Sequence, residues 1–111
     1  QCNMDARPLG IALGATPFET GNECFTLSAS PIICGTADSF VTTAPELDCD
    51  LIDMELYALA QIARRQQIPL KSFKFISDNA DDNSQQDWKS SLPDAASGFL
   101  SIQDDLLSLL G

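Results

Sequence analysis

Histidine is absent from these 111 residues. That removes Ser-His-Asp and Cys-His nucleophile systems and any metal held by imidazole. Acid–base chemistry must then rest on carboxylates, Lys, Tyr or Cys. Basic residues are scarce: six Lys and Arg stand against sixteen Asp and Glu, a net charge of −10. Such a chain lacks the cations that nucleic-acid phosphates or an anionic bilayer require, so neither partner is expected. No apolar run is long enough to span a membrane. Cys2, Cys24, Cys34 and Cys49 form no C-x-x-C pair, which argues against a zinc ribbon. No metal and no cofactor is expected. The last three cysteines lie in or near apolar runs and read as reduced, buried thiols of a cytoplasmic protein. The opening residues show neither a signal peptide nor a glycine-rich strand–turn–helix of the kind that starts a nucleotide-binding sheet.

What is present is a globular composition, 44% apolar, of the size of one small domain over residues 1–111. Residues 1–23 carry Pro8, Gly10, Gly14, Pro17 and Gly21, and predict a short strand over 8–13 and then a loop. Residues 23–34 are β-prone, with Phe25, Leu27 and Ala29 alternating before Pro31, then Ile32, Ile33 and Cys34. Pro31 cannot donate to a ladder and marks an edge or a break. Residues 35–50 read as a loop around an exposed Phe40-Val41, and Leu51-Ile52 as a minimal strand. A helix is predicted over 53–67, with Asp53 as N-cap and both Asp53 and Glu55 suited to its positive end. It is apolar nearly all round, which predicts burial on more than one side. Pro69 bars continuation, and 70–77 predicts a strand, so that helix, turn and strand form half of a βαβ unit. Residues 84–111 are mostly helical in period, with Pro93 as a break, a kink or the first position of a second helix.

Two carboxylates stand out. Asp78 closes the apolar run Phe73-Lys74-Phe75-Ile76-Ser77-Asp78, and in open α/β sheets ligands bind at the carboxyl ends of strands. It reads equally as a turn residue. A calcium loop is discounted, because Ser84 and Ser90 stand where Gly and a bidentate Glu are needed. Glu55 reads either as a first-turn acid favoured by the helix dipole or as an acceptor for two vicinal hydroxyls. Met54 is most simply core and could also pack against a sugar. Phe40 could stack on a flat base whose edge the Val41 backbone reads.

Asp38-Ser39-Phe40-Val41, then Asp53-Met54-Glu55, then Ile76-Ser77-Asp78-Asn79-Ala80-Asp81 come in an order and spacing that resembles the methylthioadenosine/S-adenosylhomocysteine nucleosidases of the purine nucleoside phosphorylase superfamily. Met4-Asp5-Ala6-Arg7-Pro8-Leu9-Gly10, followed by Gly14 and Pro17, is also similar to a segment of that family. The resemblance implies an α/β fold, a three-layer αβα sandwich around a mixed central sheet, of which this chain would be the C-terminal half. It implies hydrolysis of the N-glycosidic bond of 5′-modified adenosines, releasing adenine. Carried over by position, Asp78 would donate a proton to N7 of the base, with Ser77 orienting it. Glu55 would hold the ribose hydroxyls and Met54 would pack on the ribose. Phe40 would stack on adenine, with Val41 at its edge. Leu9 and Pro17 would reach across a homodimer interface, and Trp88 would close the 5′-substituent pocket.

Asp53 stands where many members have Glu. No residue here matches the family's glutamate that activates water, so the 111 residues alone are expected to leave the glycosidic bond intact. A phosphorylase, or a nucleoside-binding module without turnover, stays open as an alternative. The 5′-substituent is not fixed by the sequence.

Overall fold

In the computed structural model, residues 7–15, 24–43 and 46–109 are described. The chain enters through a short 3-10 turn at Arg7–Leu9, where a strand over 8–13 was predicted. Gly10 takes a left-handed conformation (φ 76°), and its N–H donates to the Arg7 carbonyl at 2.9 Å. This local bond takes the place of a ladder. The Arg7 guanidinium pairs with both carboxylate oxygens of Glu46, at 3.0 and 3.1 Å, on the exposed surface.

Two short strands, β1 (Cys34–Thr36) and β2 (Leu51–Asp53), pair in parallel with Cys34 opposite Leu51 and Thr36 opposite Asp53. Parallel pairing demands a crossover, and residues 37–50 supply it without a helix among the described residues. β1 starts later than the Ile32-Ile33 run suggested. The Ile33 N–H is taken by the Asp50 carboxylate at 2.8 Å, while its carbonyl accepts the Asp50 and Leu51 N–H groups.

Helix α1 (Leu56–Gln66) begins three residues after its predicted start, because Asp53 stays in β2. Asp53 still caps it: its carboxylate accepts the Leu56 N–H at 3.1 and 3.3 Å. Glu55 therefore precedes the helix. At the other end Gln67 is left-handed (φ 56°), and the Ile68 N–H donates to the Ala63 carbonyl at 2.8 Å, a common helix stop. Tyr57 and Ala60 are buried, and Tyr57 packs its ring on Phe25 with centroids 5.2 Å apart. Leu59 and Ile62 are exposed. So one face of α1 is buried, not several; among the described residues β1 and the Phe25 segment pack against it.

Residues 68–77 run on without a ladder, where a strand was predicted over 70–77. Side chains dock this segment where backbone bonds do not. The Lys71 ammonium donates to the Leu109 carbonyl at 2.6 Å, and Lys74 pairs with Asp53. The Phe75 ring lies so close to Gly98 that a Cβ there would sit 3.5 Å from it.

Helix α2 (Ser84–Ser101) continues through Pro93, which neither ends nor opens a helix. Proline removes one ladder bond. The Ser90 and Ser91 hydroxyls bond the Asp87 and Trp88 carbonyls beside it, at 3.0 and 2.9 Å. The break falls at Ile102, before α3 (Gln103–Ser108).

Parallel strands with helices make this an α/β chain. Among the described residues no helix is long and apolar enough to cross a membrane. Cys24, Cys34 and Cys49 form no disulfide among the described residues. Cys34 and Cys49 are half-buried, and burial pushes both thiols up, away from the reactive thiolate. Cys24 is exposed, contrary to its expected burial, since the Phe25 ring beside it takes the place against α1.

Candidate functional site

A cleft of about 1320 Å³ is lined by β2, by Cys34 at the start of β1 and by the segments around them. The residues singled out from the sequence reach its wall from four places in the chain. The crossover contributes Phe40 and Val41, and the β2–α1 junction contributes Met54 and Glu55. The segment before α2 contributes Ser77 and Asp78, and the first turns of α2 contribute Trp88. These are seven of the nine residues singled out from the sequence. Leu9 is 72% exposed and does not line the cleft, because the turn at Gly10 leaves it on the surface. Pro17 lies outside the described residues. The volume exceeds that of a compact ligand pocket. Phe40, Met54 and Trp88 remain exposed on its rim, so the cleft is broad and open.

The acid side is built by local bonds. Asp78 Oδ2 accepts the Ser77 hydroxyl at 2.6 Å, and Oδ1 accepts the Ala80 N–H at 2.9 Å. Ala80 is left-handed (φ 54°), a conformation that costs a residue with a Cβ about 1 kcal/mol. Partial burial pushes the Asp78 carboxyl up. The hydrogen bonds from Ser77, Ala80 and Ser84 outweigh it and hold the group below the usual carboxylate range. Asp78 is therefore ionised in the free protein at neutral pH.

The Glu55 side is built by bonds between elements. Asp53, at the end of β2, accepts the Thr36 hydroxyl at 2.7 Å, the Leu56 N–H and the Lys74 ammonium. The Thr36 hydroxyl in turn accepts the buried Tyr57 N–H at 3.0 Å. One carboxylate thus joins β1, β2, α1 and the segment that leads to Asp78. Glu55 follows Asp53 by two positions, and its place in the cleft is set by this junction.

Sequence reading missed Thr36, Lys74 and Ser84. Lys74 carried a signal, as the one charge in the run Phe73–Ser77. Ser84 stands three positions after Asp81, just where the helical period begins. Thr36 carried none, since its partner is seventeen residues away.

Chemically, the cleft offers an aromatic face, backbone beside it at Val41, and a carboxylate at each of two places for a polar ligand to bridge. Six carboxylates and two lysines line it among the described residues: Asp50, Asp53, Glu55, Asp78, Asp81 and Asp82 against Lys74 and Lys89. No group of three His, Cys, Asp or Glu side chains among the described residues is placed to hold a metal ion.

The family model of the phosphorylase superfamily matches residues 24–108. No curated protein and no solved structure matches the chain. Nucleoside phosphorylase or hydrolase activity is what the superfamily suggests. Among the described residues the match takes in both strands, all three α-helices and the whole wall of the cleft, and so the chain belongs to the phosphorylase superfamily.

Proposed function

We propose that this protein hydrolyses the N-glycosidic bond of a 5′-modified adenosine such as methylthioadenosine or S-adenosylhomocysteine, on a three-layer αβα sandwich. One observation carries the reading. Phe40, Val41, Met54, Glu55, Ser77, Asp78 and Trp88, spread over half the chain, line a single cleft. Phe40 stacks on adenine and the Val41 backbone reads its edge. Glu55 accepts the ribose hydroxyls, because a carboxylate offers acceptors only, and Met54 packs on the sugar. Asp78, oriented by Ser77, serves N7, and Trp88 covers the 5′-group. Leu9 reaches toward the partner in a homodimer.

The chemistry needs a proton on the leaving base. With N7 protonated, the C1′–N9 electron pair leaves with adenine, and water closes on C1′ and gives up a proton. N7 is an acceptor, and so is ionised Asp78. The two can meet only through a proton taken up as the nucleoside binds. Affinity then falls as pH rises, by up to about tenfold per unit, between the depressed pKa of free Asp78 and its higher value in the complex.

The same acidity favours water over phosphate as the attacking group. Lys74 is already held by Asp53, and Lys89 shares the cleft wall with six carboxylates among the described residues. A phosphate dianion would enter against that field. Dependence of adenine release on phosphate would reverse this choice.

Calorimetry with methylthioadenosine and with adenine, in buffers of different ionisation enthalpy, tests the reading. Binding with proton uptake, abolished in Asp78→Asn, is expected. Absence of binding to the wild type overturns it. None of the described cleft residues is assigned the base that accepts the water's proton. The 111 residues are therefore expected to bind without releasing adenine, and release would give that role to a cleft carboxylate.

A further inference from the structure

The turn that carries Asp78 is closed by a residue with no part in the scheme above. Ser84, the first residue of α2, has no exposed surface at all. Its hydroxyl accepts the Asp81 N–H at 2.6 Å, and its own N–H donates to the Asp81 carbonyl at 3.0 Å. Asp81 is thus held at both backbone groups by one serine. The chain between the Asp78 carboxylate and that clamp must turn sharply, and Ala80 does so in the left-handed well. A hydroxyl has one proton and two lone pairs. With a lone pair on the Asp81 N–H, the hydroxyl fixes the far end of a turn whose near end is the Asp78 carboxylate bonded to the Ala80 N–H.

We propose that Ser84 is a positioning residue for Asp78: its buried hydroxyl clamps the 78–81 turn and aims the carboxylate into the cleft. The consequence for substrate rests on the nucleoside reading; the clamp itself does not. Several charged groups share the cleft wall with Asp78. Lys74 comes from the preceding segment, Asp81 and Asp82 from its own turn, Lys89 from α2, and Asp53 and Glu55 from the β2–α1 junction. None of these is what lowers Asp78. Burial opposes the shift, and the Ser77, Ala80 and Ser84 hydrogen bonds produce it. Hydrogen bonds of this kind are not screened by salt as long-range charge is.

The test follows the Asp78 side-chain carbon by NMR through an acid titration in wild type, Ser84→Ala and Ser84→Cys, at low and at 1 M salt. Cysteine refills the volume without a comparable hydrogen bond. A midpoint that rises in both variants and does not move with salt in the wild type is the expected result. The pH window over which adenine affinity falls should then start higher in both. An unmoved midpoint in a folded variant overturns the clamp. So does a midpoint that rises in Ser84→Ala and returns in Ser84→Cys, since packing alone would then be responsible. Hydrogen exchange of the wild-type Asp81 amide decides the case if neither variant folds: protection supports the clamp and free exchange overturns it. If adenine fails to bind the wild type, the nucleoside reading falls while the titration still decides for or against Ser84.

Discussion

The two sides of the cleft are held in opposite ways. Around Asp53 the bonds reach across the chain: Thr36 is seventeen residues from its carboxylate partner, the Tyr57 N–H twenty-one from the Thr36 hydroxyl, and Lys74 twenty-one from Asp53. Around Asp78 they span one to three residues. The first junction exists only in the folded chain, whereas the second is a turn that its own residues can close. Glu55 is therefore placed by tertiary structure and Asp78 largely by local structure. A nucleoside that bridges them would read both.

Asp53→Ala breaks the comparison at its strongest point. It removes the α1 cap and the partner of Thr36, and takes the ion-pair partner from the exposed Lys74. A loss of about 3 kcal/mol is expected, read as a lower urea midpoint. In the variant that remains folded, nucleoside affinity should fall while Asp78 still titrates below the usual range. Loss of that depression would show that the turn is not self-contained. Thr36→Val should cost about 2 kcal/mol by the same measurement, because the buried Tyr57 N–H loses its acceptor. Ala80→Gly sharpens the comparison from the other side. It relieves a left-handed alanine but frees the unfolded chain, so thermal stability should change by no more than about 1 kcal/mol.

The smallest effect is in acid. A carboxyl whose folded pKa lies below its unfolded value contributes stability that is complete above the unfolded pKa and fades as pH falls through the folded one. Asp78 is such a group. In Asp78→Asn the acid limb of the stability curve should be shallower below the ordinary carboxylate range. An unchanged limb would mean that the hydrogen bonds of the turn contribute nothing to folding.

The same division decides what could be read in the sequence. α1 and its cap were legible because an acid before an apolar period marks a helix start. The boundary slipped three residues because Asp53 serves the strand and the helix at once. The cleft residues were legible as motifs, since Phe40-Val41, Met54-Glu55 and Ser77-Asp78 are each adjacent pairs. The missing ladder at 70–77 was not legible. Apolar content predicts an extended segment, but a strand is defined by a neighbour, and here lysines and a phenylalanine do the docking. Which of the three readings of Pro93 would hold was not legible, because a proline's cost is known locally, whereas its tolerance depends on the turns around it. Thr36 became visible only once β1 lay against β2.

The parallel pairing has a kinetic consequence. Joining β1 to β2 requires closing the loop of residues 37–50, at an entropic cost of roughly 2 kcal/mol. Phe40 rides on that loop. The aromatic wall is thus delivered in the step that forms the sheet, and a partly folded chain has no cleft to offer. A nucleoside would then leave the refolding rate unchanged and act entirely by retarding unfolding.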